Sequence, residues 1–280
     1  MIDSTLLKLA VQRNVAEALQ EDIGQTDHTA RLISINTVAS AHVISRESAV
    51  LCGAAWFDAC FRTLDPSVSI HWHVGDGDRI APGQTLCQMT GNARALLSAE
   101  RPALNFLQTL SATATQTQLF ARQLAGLPTH IMDTRKTLPG LRIAQKYAVT
   151  CGGGYNQRVG LYDGILIKEN HIAAAGSIAA VLSSTRDAGV PVQIEVENLT
   201  ELNEALQAGA KLILLDNFGM NELKQAVALT NGRAILEASG NVSTDNIRQI
   251  AETGVDRISI GALTKHIQAI DLSMRIDAKS

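Results

Sequence analysis

An α/β fold whose parallel sheet closes fully or partly into a barrel is what the sequence predicts, on two observations. From residue 128 onward, short apolar runs recur, each ending in a polar residue and most followed by a segment with helical spacing of its apolar positions. The last four runs begin at 192, 212, 234 and 257, about one βα unit apart. Composition agrees: the chain is 46% apolar but only 4% aromatic, which suits layered α/β packing better than a β-sandwich.

Taken in order, the chain begins with apolar residues at helical spacing (Leu6, Leu7, Val11, Val15, Ala18, Leu19). Between residues 37 and 89 the texture is β-rich, with pieces at 41–45, 68–74 and 85–89 separated by Gly/Asp and Pro/Gly turn clusters and interrupted by a helix at 54–63. This reads as a small α+β unit. Residues 94–125 predict two helical pieces around Pro102, a joint between halves. The repeating runs follow at 130–133, 164–167, 192–196, 212–215, 234–238 and 257–260, with helices expected at 199–208, 220–229 and 244–253. Strands alternating with helices imply a parallel sheet covered on its faces. On such barrels the chemistry sits at the C-terminal strand ends, where the polar residues fall here.

Several classes are excluded. A formal net charge of −3 supplies no field for nucleic acid or an acidic membrane, so neither is an expected partner. No apolar run approaches the roughly 20 residues that cross a bilayer, and the first 23 residues, broken by six charges from Asp3 to Asp22, do not read as a signal peptide. A cytoplasmic protein is expected. The four cysteines (Cys52, Cys60, Cys87, Cys151) include no CxxC pair and sit among small or apolar neighbours, which predicts buried thiols rather than structural zinc. Cys151, beside a glycine cluster, is the one to test for reactivity.

The chemistry-bearing residues fall into three groups. Glu195 and Glu197, two apart on a strand, share a side, and Asp216 ends the next strand. Carboxylates so placed can hold Mg²⁺ through oxygen or stabilise a sugar cation; each can equally form a salt bridge at the rim. Arg135, Arg158 and Lys168 could clamp a small dianion, while Arg142 and Lys146 read as solvated surface. Ser239, Gly240, Asn241, Gly261 and Ala262 follow late strands, where loops cradle phosphate through backbone N–H groups. Gly152–Gly154 could form a further close-approach loop. His71 and His73 read as exposed strand histidines, His171 as orienting the Lys168 loop, and His266 could approach phosphate.

Nine segments carry a resemblance: ERPALN at 100–105, DTRKTLPGLR at 133–142, KYAV at 146–149, GGG at 152–154, LIKENH at 166–171, EVEN at 195–198, LLDNF at 214–218, SGN at 239–241 and SIGALTKH at 259–266. In this order they strongly resemble the quinolinate phosphoribosyltransferase family, over nearly the whole chain. The resemblance implies a small N-terminal α/β sandwich-like domain with a helical joint (1–110, with 268–280 packing back on it) and a partly open barrel (111–267). It implies transfer of phosphoribosyl from 5-phosphoribosyl-1-diphosphate to quinolinate with Mg²⁺. Nicotinate mononucleotide, diphosphate and CO₂ leave, in de novo NAD biosynthesis. By motif, Arg101, Thr134, Arg135, Arg158 and Lys168 resemble the quinolinate binders. Lys136, Glu195 and Asp216 match catalytic positions serving the ribosyl diphosphate, with Glu195 and Asp216 on its metal. Lys136, Ser239, Gly240, Asn241, Gly261 and Ala262 match the phosphate contacts. A homodimer is implied, with Arg101 entering the neighbouring subunit's site. One position departs: Gln157 stands where the family's GGGxNHR segment has His.

Three other readings stay open on the residues alone. They are a phosphoribosyltransferase for another acidic heterocycle, a Schiff-base aldolase using Lys168, and a non-catalytic ligand sensor.

Overall fold

The computed structural model describes residues 2–277; the last three positions of the expected 268–280 segment lie outside the described residues. Helix α1 (Ser4–Ile23) starts at Asp3, whose carboxylate accepts from the Thr5 N–H at 3.2 Å. Strands β1 (Val38–Ser45) and β2 (Ala49–Val50) precede helix α2 (Ala54–Leu64). Strands β3 (Ser69–Trp72), β4 (Arg79–Ile80) and β5 (Thr85–Asn92) lead into helix α3 (Ala93–Gln123). Strand β6 (His130–Met132), helix α4 (Arg142–Cys151), strand β7 (Ile165–Ile167) and helices α5 (Glu169–Ala175) and α6 (Ile178–Ser184) come next. Then β8 (Val192–Val196), α7 (Leu199–Gln207), β9 (Leu212–Asp216), α8 (Met220–Thr230) and β10 (Ile235–Ser239) alternate. Helix α9 (Ile247–Ala251), β11 (Arg257–Ser259), α10 (Ala262–Lys265) and β12 (Leu272–Ile276) complete the chain.

Among the described residues these elements form two compact units of interleaved segments: residues 2–118, 137–153 and 263–277 in one, and 119–136 with 154–262 in the other. In the first, an antiparallel sheet runs β12-β1-β5-β3 beside the small β2-β4 pair. Alternation along β1 buries Ala41, Val43 and Ser45, and α2 adds Trp56, Phe57 and Phe61 to the same core. Strand β12 pairs with β1 from Leu272↔Ser45 to Ile276↔Ala41, so the C-terminal stretch does return to the N-terminal sheet.

Helix α3 corrects the expected two-piece joint: it is continuous through Pro102. The reason is packing. Leu96 and Ala99 before the proline, and Ala103, Leu104, Leu107 and Leu110 after it, are all buried in one core, and this outweighs the roughly 3 kcal/mol that an interior proline costs a helix.

The second unit is the predicted parallel sheet, ordered β6-β11-β10-β9-β8-β7 and thus a partly open barrel. Its strands coincide with the six apolar runs to within a residue or so at each end. The expected helix at 244–253 shrinks to α9, because Asn246 takes the Ser243 N–H (2.8 Å) and gives a bond to the Asn241 carbonyl (2.9 Å), holding that stretch as a turn. Register aligns Asp216 with Ser239, Ser239 with Ser259, and Ser259 with Met132. The polar strand ends therefore stand at one level.

Candidate active site

Lys168 and Glu195 meet directly. They lie one step beyond the paired residues Ile167↔Ile194 on adjacent parallel strands, and Lys168 Nζ donates to both carboxylate oxygens at 2.8 Å. His171 Nδ1 accepts the Lys168 N–H at 3.0 Å, so this histidine does orient the loop. Glu195 and Leu214 pair in register, and Asp216 lies two residues on; Glu195 and Asp216 thus share a sheet face. Glu195 also lines a cavity of about 370 Å³ with Glu169, Glu197, Glu201 and Glu204. That acid-rich wall repels a phosphate, and the loops after β9 and β10 do not line it.

The loops there are tightly specified. Asp216 accepts from Asn217 Nδ2 at 2.8 Å, and Asn241 Nδ2 reaches Asn217 Oδ1 at 3.4 Å. Gly240 has φ +101°, and a Cβ on it would stand 2.1 Å from Asn217 Oδ1. Only glycine lets this backbone come so close. We expect Gly240→Ala to lower stability by about 1–3 kcal/mol, as strained left-handed residues do, and to lower turnover by displacing Asn217 from Asp216. A urea melt beside a rate measurement checks both. Gly261 is the second close approach: a Cβ there would lie 2.9 Å from Lys136 Cδ and 3.6 Å from Thr134 Oγ1. Thr134 Oγ1 in turn accepts the Lys136 N–H at 3.1 Å. Thr134, Lys136 and Gly261 are therefore one cluster, with Ala262 following at the start of α10.

Arg135 and Arg158 form the cationic part. Buried Asp133, at the end of β6, accepts the Gln157 N–H (2.8 Å) through one oxygen and Asn156 Nδ2 (2.7 Å) through the other. Its own N–H donates to the Tyr155 carbonyl at 3.0 Å. This stitch brings Arg158 beside Arg135. Burial, and then the Arg135 charge, hold the Arg158 guanidinium below its ordinary pKa. Arg158 Nη1 donates to the Gly164 carbonyl at 3.0 Å, fixing its stem. Two like charges in a half-buried place are a site for an anion.

Arg101 lies exposed on α3 in the first unit. Lys146 corrects a sequence expectation: it is fully buried, not solvated. Helix α4 is enclosed on more than one side, burying Ala144, Gln145, Lys146 and Ala148, so helical parity alone does not expose it. Glu197 lies beyond the end of β8 and its N–H is taken by Glu201 (2.9 Å), capping α7. His71 and His73 are exposed, stacked edge-on with centroids 5.0 Å apart.

Sequence reasoning missed Glu237. It is 1% exposed on β10 and accepts hydrogen bonds from Gln157 Nε2 and, at 3.2 Å, from Gln193 Nε2. Gln157 is thereby anchored to a carboxylate of its own protein. A glutamate inside the apolar run 234–238 was the available signal. Burial raises the Glu237 carboxyl above the usual range, while Ser259, Gln193 and the Arg257 charge pull it down. A native state that keeps its proton longer than the unfolded chain loses stability as pH rises from the unfolded to the folded pKa. We expect Glu237→Gln to gain stability relative to the parent at about pH 8 and not at about pH 4. Equal urea midpoint differences at both pH values would refute this.

Comparison with known proteins decides the family. The N-terminal domain model of quinolinate phosphoribosyl transferase matches residues 27–111 and the C-terminal domain model matches 113–275. The chain belongs to the quinolinate phosphoribosyltransferase family. A nicotinate-nucleotide pyrophosphorylase structure from Francisella tularensis superposes with a TM-score of 0.93 at 44% identity, covering 96% of each chain. The probable nicotinate-nucleotide pyrophosphorylase [carboxylating] of Bacillus subtilis is 40% identical, over 91% of this chain and 90% of its own. A Nicotiana tabacum quinolinate phosphoribosyltransferase [decarboxylating] is 38% identical, over 94% of this chain and 81% of its own. Family membership and the strand-end geometry thus rest on separate observations.

Proposed function

We infer that this chain transfers phosphoribosyl from 5-phosphoribosyl-1-diphosphate to quinolinate with decarboxylation, forming nicotinate mononucleotide in NAD biosynthesis. The observation within the fold that carries the substrate assignment is the Arg135–Arg158 pair, two adjacent cations suited to a small dicarboxylate. We assign quinolinate to Arg135, Arg158, Thr134 and Lys168. The ribosyl diphosphate we assign to Lys136, Asp216, Glu195 and the loops at Ser239–Asn241 and Gly261–Ala262.

In the reaction the C1–O bond to diphosphate breaks, positive charge builds on the ribose, and the pyridine nitrogen lone pair forms the C1–N bond. The C2–carboxylate bond then breaks, CO₂ leaves, the bond's electron pair stays on C2 beside the cationic ring nitrogen, and a proton takes up that pair. The protein contributes placement and field: cations offset the leaving charge and carboxylates face the sugar cation. Lys168 Nζ is held by both oxygens of Glu195, so its charge is directed at a carboxylate.

Glu195 and Asp216 fit Mg²⁺ in donor chemistry. Among the described residues no third carboxylate, His or Cys joins them in a ligand cage; this suits an ion that is held by one or two carboxylates, water and substrate phosphates. When bound, such an ion would supply positive charge to the diphosphate. We further propose a homodimer in which Arg101 enters the neighbouring site. Mixing Arg101→Ala with Asp216→Ala subunits should then restore activity that neither variant shows alone; no rescue would sink the exchange.

The deciding assay incubates the protein with quinolinate, ribosyl diphosphate and Mg²⁺. Nicotinate mononucleotide and CO₂ in equal amounts are expected. Faster use of nicotinate, without CO₂, would overturn the substrate assignment.

A further inference from the structure

The first compact unit holds a cluster for which the proposed reaction has no use. Cys52 lies between β2 and α2, Asp76 between β3 and β4, and Cys151 is the last residue of α4. The two sulfurs and an Asp76 oxygen all lie within 4.8 Å of one another. Cys52 is fully buried; Cys151 and Asp76 are half-buried, which leaves a path from solvent.

Asp76 is held in place from two sides. One oxygen accepts the Gly53 and Ala54 N–H groups at 3.0 and 3.1 Å, and the other accepts the Tyr147 hydroxyl at 2.9 Å. An ionised carboxylate has about four lone-pair positions, so three accepted bonds leave one to give. We propose that Cys52, Cys151 and Asp76 form a binding site for one thiophilic divalent cation of the zinc type.

The donor set selects that class. Two thiolates with one carboxylate suit zinc or cadmium, and oxygen-seeking magnesium or calcium would find too few oxygens. Bonds of about 2.3 Å at tetrahedral angles set two sulfurs roughly 3.8 Å apart. A triangle no wider than 4.8 Å therefore closes with side-chain shifts of about an ångström or less. The backbone N–H groups and Tyr147 orient the carboxylate, as outer-shell partners orient metal ligands generally. A fourth coordination position is left for water. A bound cation would pin the end of α4 to the β2–α2 junction, and binding would stabilise the folded chain by mass action.

Cys60 and Cys87 supply internal controls. Among the described residues neither belongs to a ligand cluster.

The test uses the full chain, reduced and stripped with chelator. It is titrated with Cd²⁺ for the thiolate charge-transfer band and with Zn²⁺ against a chromophoric chelator, with native mass spectrometry for stoichiometry. One ion per chain, a thiolate band and a raised melting midpoint are expected. All three should vanish in Cys151→Ser, persist in Cys60→Ser and weaken in Asp76→Asn, which keeps an oxygen for Gly53 and Ala54. Cys151 is the informative position because Cys52, fully enclosed, could fail to fold when changed. No thiolate band, or binding that survives Cys151→Ser, would overturn the site. So would a pair that mild peroxide closes to a disulfide in a protein that takes up no metal. None of these readouts depends on the transferase activity.

Discussion

Replacing Lys136 or Asp216 with alanine is expected to lower turnover by about 100- to 1,000-fold each, the usual effect of removing a group aimed at charge that develops in the transition state. Both sit at the level where the loops after β6, β9, β10 and β11 converge. Lys136 lies against Gly261, and Asp216 is joined through Asn217 to the Gly240 loop. Stability should change little, because Lys136 is exposed and Asp216 only half-buried, and surface changes of this kind usually stay within about 0.5 kcal/mol. Single-turnover rates beside urea melts separate the two quantities. Unchanged turnover in either variant would remove that residue from the site.

Arg158→Ala is expected to act on substrate binding instead. Truncating one partner of a buried, hydrogen-bonded charge contact typically costs about 2–5 kcal/mol, which is about a 30- to 3,000-fold rise in the quinolinate KM at a tenfold per roughly 1.4 kcal/mol. Without ligand the variant should melt close to the parent. It loses the bond to the Gly164 carbonyl but also the repulsion with Arg135. Arg158→Lys should not rescue it, since a point charge lacks the planar fork that meets a carboxylate with two bonds. The readout is a pair of KM values. A rise confined to the ribosyl diphosphate would exchange the two substrate assignments.

Much of this was legible beforehand. The six strands are short apolar runs, and a parallel strand buried on both faces must be such a run. Their polar ends therefore placed Lys168, Glu195 and Asp216 at strand ends from the sequence alone. Glycines 240 and 261 were legible as loop residues, though not the side chains that require them. Helix α3 and Lys146 misled for one reason: local signals, a proline and a charged side chain, were overruled by burial that only neighbouring elements impose. Glu237 was overlooked because a single acid in an apolar run looks like an irregularity until Gln157 and Gln193 are seen to meet it.

The sequence by itself determined the strand–helix alternation, the charged residue types at strand ends and, through ordered motifs, the family. Those are properties of spacing and composition along one dimension. Tertiary structure alone decided which of these residues touch. It joined Lys168 to Glu195 across adjacent strands and set Arg158 beside Arg135 through the Asp133 stitch. It also brought Cys52 and Cys151 together although no sequence spacing links them. Register between parallel strands and the closure of distant segments are free-energy outcomes of the whole packed core, and no local pattern encodes them.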